Sequence, residues 1–404
     1  MKKNILSVAL LVVSGYFTAS VKADVTPQFT RFGFENVKTV RENNHTHITY
    51  ESNLYVWNVK ELAAAMDLAV EEELSDTITL VTLRDENPVL LTTFCRSDWQ
   101  AFRKGEMNAA QVQERINIRR SFSKDEMKRF KATKTANSSR GKFDLVIYPD
   151  FSFRNVRINK VYDVALSLSP AFEFSLWKGN KFTAQLVLPL INEDYGRIYS
   201  KVRPGFLTIS QDFALPSSWY IRLAAGNFNT FRAGVDADVS HFFGKERWEL
   251  GLNAGITGSS VFDGFGKWYY STPNDWTLIG RIGYYFNPLE TEVVLRAGHF
   301  YMGDWGTRLD IFRHMHAVEV GIYAQVGESD YNAGFHFTLP LNIPSKYKRK
   351  GFRVRAPRYY DLEYVYASGI NKLDYYETRP NENRSEHFFN PVYIKKELLK
   401  LNKK

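Results

Sequence analysis

The chain has 404 residues, enough for two or three structural units, and carries 53 Lys plus Arg against 44 Asp plus Glu, a formal charge of +9. Its single cysteine, Cys95, excludes an internal disulfide framework. Mean hydropathy is -0.34, and beyond residue 23 no apolar run approaches the ~20 residues that a membrane helix needs; a helical membrane protein is excluded, and a soluble fold or a strand-built membrane protein stays open.

The first 23 residues read as a secretory signal. Lys2 and Lys3 supply the positive region, Ile5 to Val13 the apolar stretch, and Val21-Lys22-Ala23 precedes a cut at Asp24. Export argues against nucleic acid as the partner of a basic chain, and favours anionic lipid headgroups or an acidic polysaccharide. Residues 24–135 read as a small periplasmic α/β module. Val37 to Val40 and His47 to Tyr50 form two strands around Glu42-Asn43-Asn44. A helix follows, with Asn58 and Glu61 at capping-box spacing and Leu62, Met66, Ala69 and Val70 on one face. Ile78 to Leu83 and Val89 to Phe94 make a hairpin across Asp85 to Pro88, and Ser97 starts a second helix bearing Trp99 and Phe102. Cys95 reads as a buried small apolar side chain. From Arg115 to Lys142 ten basic residues face few acids, and Thr135 to Ser139 reads as a flexible boundary.

From residue 142 to 368 the pattern has a period of two. Val318, Val320, Ile322, Ala324 and Val326 alternate with Glu319, Gly321, Tyr323 and Gln325. The same alternation runs through Phe182 to Leu190, Trp219 to Ala225, Val235 to Val239, Trp248 to Ile256, Trp276 to Phe286 and Val293 to Ala297, with Gly and small polar residues on the second face. Aromatics gather at segment ends, as a girdle at a lipid boundary requires. A water-soluble β-sandwich also alternates, but its strands run to ~5 or 6 residues, whereas these approach the ~10 of a tilted spanning strand. The expected fold is therefore mainly β: a transmembrane antiparallel β-barrel of about twelve strands, preceded by the α/β module. Phe352 to Ala367 is the expected last strand, and residues 369–404 a polar periplasmic tail with a short amphipathic end.

Four stretches carry a resemblance: Ala297-Gly-His-Phe-Tyr-Met-Gly-Asp-Trp-Gly306, Val318 to Ala324, Gly334 to Leu341, and Arg353-Val-Arg-Ala-Pro-Arg-Tyr-Tyr-Asp-Leu-Glu-Tyr364. Together they resemble the YjbH family of Gram-negative outer-membrane proteins, encoded with exopolysaccharide or capsule genes. The resemblance implies barrel segments joined to small periplasmic α/β domains, and a role in exopolysaccharide production or export. Larger relatives have a second barrel and a repeated module, which this length cannot hold.

No nucleophile elbow, Walker loop, dinucleotide fingerprint or clustered Cys/His site is present in the sequence, so no catalytic residue, metal or cofactor is expected. His45-x-His47 and His314-x-His316 have strand spacing that puts each pair on one face, but a zinc site wants three or four ligands. If the barrel handles polymer, the lumen-side candidates by phase are Arg281, Arg296, Arg308, Asp310, Glu319, Tyr323 and Gln325; mutual pairing to fill the lumen accounts for them equally well. The leading expectation is a non-enzymatic outer-membrane barrel assisting exopolysaccharide or capsule export, in contact with lipid, polysaccharide and periplasmic export proteins. The alternatives are a general porin, an outer-membrane enzyme with a site at the lumen edge, and a soluble periplasmic carbohydrate-binding sandwich.

Overall fold

A computed structural model describes residues 25–401, apart from 72–74, 133–134, 155–161, 230, 264–265, 329–330, 342–350, 366–375 and 382–383. The expected signal, residues 1–23, lies outside the described residues.

The first unit contains α1 (Thr26–Phe32), β1 (Glu35–Glu42), β2 (His45–Glu51), α2 (Asn58–Glu71), β3 (Thr77–Arg84), β4 (Asn87–Cys95), α3 (Arg96–Lys104), α4 (Ala109–Arg115), β5 (Asn117–Arg119) and α5 (Lys124–Ala132). Its five strands lie in sequence order, antiparallel except for β2 and β3. Parallel neighbours need a crossover, and α2 provides it by burying Leu62, Ala65, Met66 and Ala69 against Ile48, Tyr50, Leu80 and Phe94. Trp99 and Phe102 close the same core from α3.

Three expectations for this unit are corrected. The basic stretch after Arg115 is folded rather than a flexible linker: Asn137 donates to the Phe34 carbonyl at 2.6 Å, Ser139 Oγ accepts from Asn36, and Arg140 and Lys142 pair with Glu86 and Glu35. Its charges find acids contributed by the β1–β2 and β3–β4 hairpins, which a local reading of composition cannot see. Asn58 and Glu61 turn their side chains to Arg84, which donates to both. Cys95 is half-buried beside Ser97 rather than fully inside.

The second unit is a fifteen-stranded sheet. It contains β6 (Phe143–Arg154), β7 (Asp163–Phe174), β8 (Asn180–Glu193), β9 (Arg203–Leu215), β10 (Trp219–Phe228), β11 (Arg232–Phe243), β12 (Trp248–Phe262), β13 (Trp268–Tyr270), β14 (Asp275–Phe286), β15 (Thr291–His299), β16 (Trp305–Met315), β17 (Val318–Gly327), β18 (Tyr331–Pro340), β19 (Phe352–Arg355) and β20 (Tyr359–Val365). With short β13 set aside, β6 to β18 is an unbroken antiparallel meander of twelve strands. The chain ends with α6 (Arg384–His387) and α7 (Pro391–Lys400).

The expected single last strand over Phe352 to Ala367 is two strands. Ala356-Pro357 interrupts it: proline supplies no N–H, and the residue before it is sterically restricted. The halves then go to opposite ends of the sheet. β19 pairs in parallel with β6, and β20 pairs antiparallel with β18. Only residues 356–358 join Arg355 on one edge to Tyr359 on the other, so those edges lie within about 15 Å of each other, four Cα steps of ~3.8 Å. Further along, the rings of Phe153 on β6 and Tyr364 on β20 stack at 5.3 Å. The sheet is thus rolled until its edges adjoin, although no ladder between β6 and β20 occurs among the described residues.

The two faces of this sheet differ sharply. On one, Leu250, Ile282, Leu295 and Leu309 stand opposite one another across four strands, and each is exposed. On the other, Thr183, Asp236, Glu249, Arg308, Asp310, Glu319 and Gln325 are buried. Tight turns at 216–218, 244–247 and 316–317 all lie at the end covered by the first unit; longer connections such as 194–202 and 263–274 lie at the far end. Contacts fix that capping: the Asp85 carbonyl accepts from Gly179 N–H, the Phe122 carbonyl from Ser217 N–H, and Glu246 takes the N–H groups of Arg120 and Ser121.

The C-terminal residues are not a free polar tail. Tyr376 lies against the polar face of the sheet, and α7 inserts Tyr393, Ile394, Leu398 and Leu399 into the core of the first unit. The physical reason is helical spacing: 394 and 398 recur at i and i+4 on one face, and Asn390 caps the helix by accepting from the N–H groups of Val392 and Tyr393.

Candidate functional site

The polar face builds its own site by cross-strand pairing. Side chains at the same level of adjacent antiparallel strands lie ~4.5–5.5 Å apart, so alternate residues on neighbouring strands meet. Arg281 on β14 reaches Asp238 on β11 with a two-pronged contact at 2.7 and 2.9 Å, and Glu249 on β12 at 2.6 Å. Glycine makes this possible: a Cβ at Gly251 would stand 2.6 Å from the Arg281 guanidinium carbon. Arg222 clasps Asp212 in the same two-pronged way at 2.8 and 3.1 Å. Planar guanidinium–carboxylate pairs of this geometry are the strongest available to side chains, and they offset the cost of removing both charges from water.

A second network lies on β15 to β20. Arg296 donates to Asp310 at 2.6 Å; Arg308 donates to Asp310 at 2.9 Å and to Glu363 at 3.0 and 2.8 Å. Arg308 also lies 4.0 Å from the centre of the Tyr323 ring, whose hydroxyl donates to the Tyr364 carbonyl. Gln325 accepts from Arg308 at 3.4 Å. Glu319 stands apart, beside His314 at 3.3 Å and His336 at 3.7 Å, and accepts from the Ser385 hydroxyl. Ser385 therefore bonds a carboxylate rather than an imidazole nitrogen, and the trio is not arranged as a nucleophile with its base.

A cavity of about 390 Å³ lies where the two units and the C-terminal segment meet. Arg84, Asp85 and Asn87 line it from the first unit; Asp212, Arg222, Asp236, Asp238 and Arg281 from the sheet; Tyr376, Arg379, His387 and Phe389 from the C-terminal segment. Arg84 links all of this to the α/β core. Burial works against its charge, but the Glu61 carboxylate more than offsets that, and its pKa lies above the ordinary arginine value. Its guanidinium lies 5.2 Å from the centre of the Phe389 ring. The carboxylates of Asp212, Asp236 and Asp238 already accept hydrogen bonds from Arg222, Tyr376 and Arg281. What the cavity offers is a wall of paired charges with amide, hydroxyl and aromatic groups among them, suited to holding a hydroxylated ligand by many hydrogen bonds.

Of the seven residues singled out by phase, Arg296, Arg308, Asp310, Tyr323 and Gln325 form one network, Arg281 belongs to another, and Glu319 to the histidine cluster. Only Arg281, Arg296 and Arg308 reach the cavity. Sequence reasoning missed Asp212, Arg222, Tyr376, Arg379 and His387. Asp236 and Asp238 were visible on the second face of β11, but nothing in the chain announced that Tyr376, 140 residues away, would meet Asp236 or that Arg281, 43 residues away, would meet Asp238. The histidine pair His314-x-His316 does not share a face: His314 is buried, whereas His316 sits at φ +57° in the turn with its side chain largely exposed. His45 and His47 do share one, with rings stacked at 4.1 Å. No group of three or more His, Cys, Asp or Glu that could hold a metal occurs among the described residues.

A family model described as Exopolysaccharide biosynthesis protein YbjH matches residues 20–351, which takes in the whole α/β unit and the sheet through β18. No curated protein and no solved structure matches the chain.

Proposed function

The chain belongs to the YjbH exopolysaccharide biosynthesis family, and we propose that it serves that role as a non-enzymatic outer-membrane β-barrel that assists polymer export, with the α/β unit on the periplasmic side. One observation carries the reading: the sheet is inside-out for water. Leu190, Val235, Leu250, Ile322 and Val326 are each more than half exposed, and exposed apolar residues recur on every strand of the meander, while charged residues fill the other face. Soluble monomers rarely expose a contiguous apolar patch beyond ~300–600 Å². In lipid the same surface is the stable one, and the interior charges escape the ~2–4 kcal/mol that a Lys or Arg costs at the lipid midplane.

Three further features support it. The strands of the meander run from 9 to 15 residues, enough to span a hydrocarbon core when tilted. Exposed aromatics border the apolar band at both ends: Trp219, Phe243 and Trp248 at the end covered by the first unit, Trp276, Trp305 and Tyr331 at the far end. The meander's connections at the covered end are all short, whereas the longest, 194–202 and 263–274, lie at the far end beside short ones at 229–231 and 328–330, in keeping with the periplasmic and outer sides of such barrels. The nearness of the β6 and β20 edges, with Phe153 stacked on Tyr364, supports a closed form. A freely conducting porin fits less well, because the chain's own C-terminal segment and cross-strand ion pairs occupy the interior.

The test has two stages. The mature protein should require detergent for extraction from membranes, and should run faster on gels unheated than boiled. Deleting its gene should lower surface polysaccharide while leaving small-solute uptake unchanged. A purified mature chain that stays monomeric without detergent defeats the barrel reading, and an unaltered polymer yield defeats the export role.

A further inference from the structure

We propose that residues 376–381 and 384–401 form a displaceable internal plug, held at two stations, whose release opens the interior of the sheet; this rests on the barrel reading above.

The inner station is Tyr376. Its hydroxyl donates to Asp236 at 3.0 Å and lies 3.2 Å from the Thr277 hydroxyl, and its ring stacks on Phe228 at 5.4 Å with the planes 4° apart. Gly255 leaves the room: a Cβ there would stand 1.8 Å from the Tyr376 oxygen. The Glu377 N–H donates to Asn229 Oδ1 at 2.6 Å, and Asn229 Nδ2 donates back to Glu377 at 2.9 Å. From Tyr376 to Asn381 the segment has no strand in the sheet. It shares no ladder with the sheet, so it can leave without breaking any rung.

The outer station is α7, which crosses from the α/β unit to the turns of the sheet. Its apolar face enters the module core through Ile394 and Leu398. Its other contacts go to the sheet: Tyr393 donates to the His316 carbonyl, and Lys396 and Lys400 reach Glu290 at 2.6 and 2.8 Å. This seat is imperfect. The hydroxyl of Tyr285 and Oε2 of Glu397 are buried there without a hydrogen-bond partner among the described residues. Groups left so make docking weaker than an all-apolar seat of the same size. A helix with its own N-cap, docked over buried polar atoms and tied to a segment that fills a polar interior without joining a strand ladder, has the construction of a latch rather than of a permanent core element.

The experiment uses the full mature chain with Cys95→Ser and Thr378→Cys, since Thr378 is buried beside the cavity. A small maleimide reports access to the interior, conductance in planar bilayers reports passage, and unheated gel mobility reports the folded barrel. With α7 intact, labelling should be slow and conductance low. Leu398→Glu places an unpaired charge in the seat of the latch and should raise labelling on the order of a hundredfold, with larger conductance and unchanged mobility. Tyr376→Ala loosens only the inner station and should raise conductance by less. Unchanged labelling and conductance in both variants, with folded mobility kept, overturn the plug and leave the barrel standing. Loss of folded mobility in both makes the segment part of the fold, which also overturns the plug. A parent chain without heat-modifiable mobility defeats the barrel reading, and the plug with it.

Discussion

The two units of this chain solve burial in opposite ways. In the α/β unit the inside is apolar, with Ile48, Leu80 and Phe94 packed together and the Arg84–Glu61 pair buried at its edge; in the large sheet Arg308, Asp310 and Glu319 are inside and Leu250 and Ile322 are outside. Backbone chemistry is the same in both, since period-two strands carry each sheet. The difference is which face the rest of the chain covers. That choice shows that alternation alone says nothing about which stripe goes inward.

The comparison can be broken at its strongest points first. Asp144 is buried and answers both Arg353 and Arg355 at the β6–β19 edge. Asp144→Ala should cost about 3–5 kcal/mol, the usual result of stranding a buried partner charge, and should lower the temperature at which the unheated gel form is lost. A loss no larger than at an exposed pair such as Arg115–Asp98 would mean that charge does not hold the sheet's interior. Next, one substitution should give opposite results in the two units. Leu80→Ala empties a fully buried site and should cost about 2–5 kcal/mol, seen as earlier protease cleavage within the module. Leu250→Ala removes an exposed side chain and should leave gel mobility and protease resistance in detergent unchanged. Val320→Lys puts a charge on the outer face and should cost about 2–4 kcal/mol near the midplane, read as lost membrane assembly; normal assembly would mean that the faces are assigned the wrong way round.

The smallest effect sharpens the contrast through pH. Burial, helped by His45 and Arg129, lowers the His47 pKa from 6.5 to about 4. The folded module keeps this ring neutral while the unfolded chain protonates it below 6.5. Its contribution is therefore fully present above pH 6.5 and declines as pH falls from there toward 4. His47→Gln should flatten the acid side of the module's stability curve in denaturant titrations between pH 7 and 4, and an unchanged slope would exclude His47 as its source.

Much of this was legible because it is local. The twelve-strand meander follows from two-residue periodicity, and α2 from the recurrence of Leu62, Met66, Ala69 and Val70. The interior arginines could be picked by phase, since a residue between two outward apolar neighbours must point the other way. What stayed hidden depends on distant pairing. Tyr360, Leu362 and Tyr364 continue the alternation so smoothly that the break at Pro357 was read through, although proline was its signal. The tail looked solvated because its lysines are numerous, yet Tyr393, Ile394, Leu398 and Leu399 already marked a helix face that needed a partner. Asn58 and Glu61 have capping spacing, and only the fold shows that Arg84 claims both. The acids around the cavity come from strands whose association no single segment encodes.

The arginine of β19 and its aspartate on β6 are 209 residues apart in the chain. Bringing such distant segments together is entropically slow and comes only after nearer pairings have formed. During biogenesis the first strand of the meander must therefore wait, its free backbone groups open to misplaced partners, until nearly nine-tenths of the polypeptide has been delivered. Pairing of that edge comes late in folding, and the protein's yield in the cell should hinge on how well the waiting strand is chaperoned.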